Sequence, residues 1–151
     1  MLPELIKKLK VDAVYLAYSD LPHQYVMEFA SKVLAAGANF GLLGTHDTYV
    51  LSKKPVIAVC AVRTGSGKSQ TSRAIAEIYR KHGLRVVGIR HAMPYGNLLK
   101  QTCQRFASAD DFKKHHTTIE EEEEYQPWID HGFVVYAGFD YKEIVRQAEK
   151  E

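Results

Sequence analysis

Cysteine is scarce in this chain: 151 residues carry two, Cys60 and Cys103. Neither belongs to a CxxC pair, and each sits among apolar residues, which excludes a disulfide framework or a cysteine-based zinc site and fits a reducing cytoplasm. Long apolar runs are missing too. No uncharged stretch approaches the ~20 residues that a membrane span needs, and the opening Met1-Leu2-Pro3-Glu4 is not a signal-peptide core. There is one tryptophan, Trp128, beside Pro127 and Ile129, where it reads as a packing anchor. No internal repeat appears, and no nucleophile elbow or Ser-His-Asp order. With 46% hydrophobic and 25% charged residues, the chain has the composition of a globular domain with a real core. It is expected to be soluble and cytoplasmic, with no membrane contact.

The charge is unevenly spread. Residues 1–100 carry 14 Lys/Arg against 6 Asp/Glu, and residues 101–151 carry 6 against 12. A basic front half suits an anionic ligand. Its positive residues are scattered with few aromatics between them, so nucleotide phosphates fit better than nucleic acid, and no nucleic-acid partner is expected. The acidic excess is mostly Glu120 to Glu124, read as the solvated face of a helix.

Apolar periodicity predicts a helix over 3–10, a buried strand over Val11–Tyr18, and a helix that starts after Asp20 and Pro22 and ends at Gly37. Asn39–Leu43 reads as a short strand, and Gly44–Lys54 as a polar linker. Pro55–Val62 (PVIAVCAV) is a continuous apolar run of the kind found in buried parallel strands. A helix is expected over Lys68–His82 with Ala74, Ile75, Ile78 and Tyr79 inward, then a strand over Leu84–Ile89. Leu98, Leu99, Cys103 and Phe106 outline another helix. Ser108-x-x-Asp111, Thr118-x-x-Glu121 and Asp140-x-x-Glu143 each have capping spacing, and Phe133–Ala137 reads as the last strand. Alternating strands and helices imply an α/β fold with a mostly parallel sheet and helices on both faces.

The chemistry concentrates in Thr64-Gly65-Ser66-Gly67-Lys68-Ser69, between a predicted strand and a predicted helix. Backbone N–H groups can surround a phosphate chain where small residues allow positive φ, and the following helix adds its positive end. Lys68 would reach the β- and γ-phosphates and the Ser69 hydroxyl would hold Mg²⁺. The full pattern G-x-x-x-x-G-K-[ST] places its first glycine at Val62, so the match is incomplete, and the strand–loop–helix context supports it. After the next strand, Arg90-His91 and Met93-Pro94-Tyr95-Gly96 fall where open α/β sheets bind ligands, with Arg90 able to grip phosphate bidentately. Asp20 and Asp140 follow apolar runs as a Walker B aspartate does, yet each precedes an amphipathic helix and is explained by N-capping. His115 and His116 beside Lys113 and Lys114 read as a solvated loop, not a zinc site.

Pro55 to Gln70, with Val86 to Gly96, resembles the archaeal and bacterial cyclic 2,3-diphosphoglycerate synthetase family. Further similarity lies in Pro3–Lys10, Tyr18-Ser19-Asp20, Val33–Ala38, Thr118–Glu121 and Val134–Glu151. The resemblance implies two parts, residues 1–52 as the rear of a Rossmann-like domain and residues 53–151 as the front of a P-loop NTPase-like domain, making the chain the middle of a longer enzyme. It implies ATP-driven closure of 2,3-diphosphoglycerate into an intramolecular phosphoanhydride. Lys68 and Arg63 would be catalytic, with Arg63 at the position of the extra signature lysine of MinD-like proteins. Thr64, Gly65, Ser66, Gly67, Lys68, Ser69, Gln70, Arg90 and His91 would hold the nucleotide, and Ser69 would hold the metal. The cofactors implied are ATP, with GTP as the alternative, and Mg²⁺. The partners are a nucleotide and a small phosphorylated substrate, and unpaired sheet edges suggest a homodimer. Two other readings stay open. One is a GTP-binding regulatory or metallochaperone-like module resembling MobB, although no Asn/Thr-Lys-x-Asp element is present. The other is a non-catalytic nucleotide-binding fragment.

Overall fold

The computed structural model of the chain describes residues 2–17, 21–61, 63, 65–91, 93 and 97–151. It is an α/β protein that divides into two compact units, Met1–Tyr49 and Val50–Glu151. Among the described residues no helix is long and apolar enough to cross a membrane.

In the first unit, helix α1 (Leu2–Leu9) leads to strand β1 (Ala13–Leu16), helix α2 (His23–Ala35), strand β2 (Asn39–Leu42) and a single-turn helix α3 (Thr45–Thr48). β1 and β2 are parallel, with Val14 opposite Phe40 and Leu16 opposite Leu42. Ile6 of α1 and Val33 of α2 are buried together with Ala38 in a small core that Leu2, Val14, Phe29 and Phe40 complete. Gly37, at φ 94°, makes the left-handed exit from α2. Three expectations change here. β1 is shorter than Val11–Tyr18 and only half-buried. The residue capping α2 is Pro22, while Asp20 lies outside the described residues. The expected linker contains α3, whose Thr48 hydroxyl donates to the Gly44 carbonyl at 3.0 Å.

The second unit comprises helix α4 (Lys68–Lys81), strand β3 (Val87–His91), one 3₁₀ turn (Leu98–Lys100), strand β4 (Gln104–Phe106), helices α5 (Ala109–His115) and α6 (Ile119–Asp130), strand β5 (Val134–Gly138) and helix α7 (Tyr141–Ala148). The strands form one sheet in the order β3-β5-β4. β3 runs parallel to β5 and β4 antiparallel to it. The sheet is therefore mixed, and the expected helix through Cys103 and Phe106 is replaced by β4. Gln104 and Phe106 are buried and Arg105 is exposed, the alternation of a strand with one covered face.

The apolar run at 55–61 forms no strand, and Val56 and Ile57 are 72% and 53% exposed. Pairing places beside the central strand are already taken, because β3 and β4 flank β5 on both sides. The helix after it turns accordingly. Instead of the expected apolar stripe, α4 buries Ala76, and Ile78 is 55% exposed. Arg80, one turn further along the Ala76 face, lies 4.7 Å over the Phe133 ring and donates to the His131 carbonyl. These contacts fix the rotation of α4 against the turn between α6 and β5.

The core is aromatic. Phe106 packs on Tyr125 with ring centroids 4.9 Å apart and on Phe112 at 5.7 Å, and Trp128 meets Phe133 edge-on at 5.8 Å. Trp128 is thus the anchor the sequence suggests, seated over Gly88, where a Cβ would come within 3.3 Å of the indole. The three capping pairs form as spaced. Asp111 Oδ2 accepts from the Ser108 backbone N–H at 3.0 Å, Thr118 Oγ1 from Glu121 N–H at 3.3 Å, and Asp140 Oδ1 from Glu143 N–H at 3.1 Å.

At the end of β5, Gly138 has φ 150°, and a Cβ there would stand 2.8 Å from the Gln101 carbonyl and collide with that of Thr102. The Thr102 carbonyl accepts from the N–H groups of Phe139 and Asp140, so it has little freedom to retreat. Gly138→Ala is expected to destabilise the second unit by more than about 2 kcal/mol, read as a lower urea midpoint. An unchanged midpoint would contradict this packing.

Candidate functional site

The segment Arg63–Ser69 closes onto the N-terminus of α4. Gly65 and Gly67 have φ 76° and 83°, the left-handed conformation that glycine adopts freely. The Ser66 hydroxyl donates to the Arg63 carbonyl at 2.9 Å, and Lys68 Nζ donates to the same carbonyl at 3.1 Å. The loop is thus drawn shut on one oxygen, with the lysine folded back over it. Gly67 caps α4 without a side chain, and the first turn holds no acidic residue. The positive end of the helix is left uncompensated by its own sequence, the electrostatic setting that favours an anion.

One residue further in, the Ser69 hydroxyl accepts from Arg90 Nη2 at 3.3 Å. Arg90 sits on β3, and its guanidinium also pairs with the Glu124 carboxylate of α6, the two side chains being 15% and 17% exposed. The Arg90 Nε atom is buried with no hydrogen-bond partner. Burial lowers the Arg90 pKa below the ordinary arginine value; nearby Tyr125 opposes this, and the positive charge of Arg73 adds to it.

Above this group opens a cleft of about 460 Å³, lined by Ser69, Gln70, Arg73, Met93, Glu120, Glu123, Glu124 and Pro127. Its size falls in the range that holds a cofactor-sized ligand.

Of the residues singled out from the sequence, Ser69, Gln70 and Arg90 come together here, with Lys68 and the two glycines at the adjoining loop. Arg63 contributes its carbonyl to that loop. His91 is exposed at the end of β3 and does not line the cleft. Val62, Thr64 and Pro94-Tyr95-Gly96 lie outside the described residues. Asp140 is an N-cap, as its spacing implies. His115, read as solvated loop, closes α5 and packs edge-on against Phe106 at 5.1 Å.

Sequence reasoning missed the acidic wall. The glutamates of α6 are not uniformly solvated. Glu121 is 1% exposed and accepts from the Thr118 backbone N–H at 3.0 Å, while Glu120, Glu123 and Glu124 face the cleft. Their spacing with Pro127 (i, i+3, i+4, i+7) marks one face of a helix, and this was the signal available. The basic front of the sequence and its acidic rear thus meet across one cleft. Among the described residues lining the cleft, Ser69, Gln70 and the glutamate carboxylates offer oxygen donors to a hard cation. Among the described residues no group of three or more His, Cys, Asp or Glu side chains is arranged to hold a metal.

No family model matches the chain, and no solved structure does. A curated relative does match: Arginine synthetase ArcE of Thermococcus kodakarensis, 55% identical over 148 residues. The relative is an arginine synthetase. The match takes in 98% of this chain and 33% of the relative, so the chain spans about a third of that protein's length. This overturns the resemblance to cyclic 2,3-diphosphoglycerate synthetases and the ring-closing reaction it implied, since the matched protein carries a different activity. The match lends no added support to the GTP-binding module or the non-catalytic fragment.

Behind Arg90 lies Tyr125, fully buried, its hydroxyl without a hydrogen-bond partner. Burial pushes its pKa up to about 12, helped by the neighbouring Glu121 and opposed by Arg90. A phenol that resists ionisation in the folded state adds stability below pH 10, and that stability is lost as pH rises through 10 toward 12. Tyr125→Phe is therefore expected to leave stability at pH 8 unchanged or raise it by up to about 1 kcal/mol, since an unpaired buried hydroxyl is removed. It should also flatten the decline between pH 10 and 12, measured by urea unfolding. Equal declines in the two proteins would refute this.

Proposed function

We propose that residues 50–151 form the phosphate-holding part of a P-loop NTPase-like unit, and that the chain serves a nucleotide-dependent, arginine-forming synthetase of the kind its relative's name describes. The observation that carries this reading is the junction at the start of α4: two left-handed glycines, Lys68 and Ser69 converge there, and Ser69 is held by Arg90 at the foot of a cleft. ATP is the proposed nucleotide, in a reducing cytoplasm where Cys60 and Cys103 stay thiols.

Each residue has a distinct task. The first-turn N–H groups of α4 and the backbone at Gly65 and Gly67 receive phosphate oxygens. Lys68 moves from the Arg63 carbonyl to the phosphates, and that short step leaves the loop's own backbone in place. Arg63 adds positive charge beside the loop. Arg90, anchored on a strand, fixes one phosphate by two donors from a rigid fork, and Gln70 and Arg73 line the approach. Together they would stabilise the charge that gathers on phosphate oxygens during transfer. Mg²⁺ fits the donor chemistry, because Ser69 Oγ and the carboxylates of the cleft are hard oxygen ligands. When bound, the ion would spread the negative charge of the phosphates.

Thermal unfolding with Mg-ATP, Mg-GTP or neither, beside Lys68→Ala, tests the reading. A ligand at a hundred times its dissociation constant stabilises by about 2.7 kcal/mol, or a midpoint rise of roughly 5–10 °C. The expected result is a rise with Mg-ATP that Lys68→Ala abolishes. No rise with either nucleotide in a cooperatively folding sample would overturn it.

A further inference from the structure

Arg90 is a cation that the fold cannot leave alone. Its guanidinium is mostly buried, so removing its counter-charge without a replacement would strand a charge away from water. The present counter-charge comes from Glu124, and the same nitrogen, Nη2, contacts both that carboxylate and the Ser69 hydroxyl. Glu124 therefore occupies the side of Arg90 that faces the start of α4. We propose that Glu124 is a positioning residue that parks Arg90 on Ser69, and that a di- or triphosphate enters by exchange, taking the guanidinium from Glu124. This rests on the phosphate reading given above.

Two observations favour a polyphosphate over Glu124 as the partner of Arg90. A guanidinium has five donors, and Nε is buried and unused here, so Arg90 has hydrogen-bonding capacity that Glu124 leaves unfilled and a phosphate with three oxygens can take up. The cations nearby, Arg73 in the cleft wall and Lys68 on the loop, together with the bare end of α4, attract a multiply charged anion more strongly than one carboxylate. Glu120 and Glu123 line the cleft beside Glu124 and repel any anion, the more strongly the higher its charge, so a ligand is held only from the side of the cations. The cations, and not the glutamates, thus favour polyphosphate over less highly charged carboxylate ligands, and ligand entry frees Glu124 in the cleft next to Ser69.

The test is calorimetric titration of the whole chain with inorganic tripolyphosphate and, separately, with citrate. Glu124→Gln removes the competitor and is expected to bind tripolyphosphate about tenfold more tightly than the natural chain, equivalent to about 1.4 kcal/mol. Arg90→Ala should lose that binding, and Arg90→Ala with Glu124→Gln should match Arg90→Ala alone, because Glu124 acts only through Arg90. Citrate should bind the natural chain at least tenfold more weakly than tripolyphosphate. Unchanged affinity in Glu124→Gln, or a gain that persists without Arg90, would overturn the exchange while leaving the phosphate site standing. No tripolyphosphate binding by either protein would overturn both. A measurement on the natural chain guards against misfolded variants: the ¹⁵N guanidinium signal of Arg90, assigned with Arg90→Lys, should shift as tripolyphosphate saturates. A signal unmoved at saturation would refute the exchange.

Discussion

The second unit is organised around one guanidinium. Arg90 projects from β3 into the space between α4 and α6, where it holds the Ser69 hydroxyl on one helix and the Glu124 carboxylate on the other. A cation this shielded demands a partner at all times. The relative placement of the two helices and the strand is therefore an electrostatic requirement as much as a packing one. Tyr125 stands behind it with an unpaired hydroxyl, and the aromatic core of Phe106, Phe112 and Trp128 begins one layer deeper. The cleft is the solvent-facing side of the same arrangement.

Arg90 is one of several partners that set the rotation of α4. The helix could have turned Ala74, Ile75, Ile78 and Tyr79 toward the core, as its apolar residues suggest. It instead presents Ser69, Arg73, Ala76 and Arg80, which recur at intervals of about one turn. Ser69 meets Arg90, Arg73 lines the cleft, Ala76 fills the core, and Arg80 lies over Phe133 and bonds the His131 carbonyl. Three of these four are polar, and each is placed by a specific partner. Hydrophobic periodicity carries no information about such partners, so the stripe was misread.

Features governed by nearest neighbours along the chain were legible in the sequence. The capping pairs at Ser108, Thr118 and Asp140 depend on three-residue spacing, and the left-handed glycines at 65 and 67 on local sterics, so both could be read without a fold. Features governed by distant partners were not. Pro55–Val62 has the composition of a central strand, but both sides of the central strand β5 are taken by β3 and β4, and residues 55–61 form no strand. Leu98, Leu99, Cys103 and Phe106 suit a helix in isolation, while burial of Gln104 and Phe106 against β5 makes a strand of that segment. The candidate site divided in the same way. The loop and Arg90 were visible as a motif and as a strand end, whereas Glu120, Glu123 and Glu124 looked like a solvated run until the fold set them opposite Ser69. The family resemblance failed for a further reason: a short glycine-rich loop between an apolar run and a helix is a local motif that does not specify which reaction a protein performs.

We propose that the start of α4 and the acidic face of α6 enclose one polyphosphate. Hydrogen–deuterium exchange with and without Mg-ATP tests it most directly, because backbone protection reports where a ligand sits. Slowed exchange is expected only in peptides covering 65–73 and 119–127, with residues 2–49 unaffected. Protection elsewhere in the chain, with both of those segments unchanged under saturating nucleotide, would contradict it.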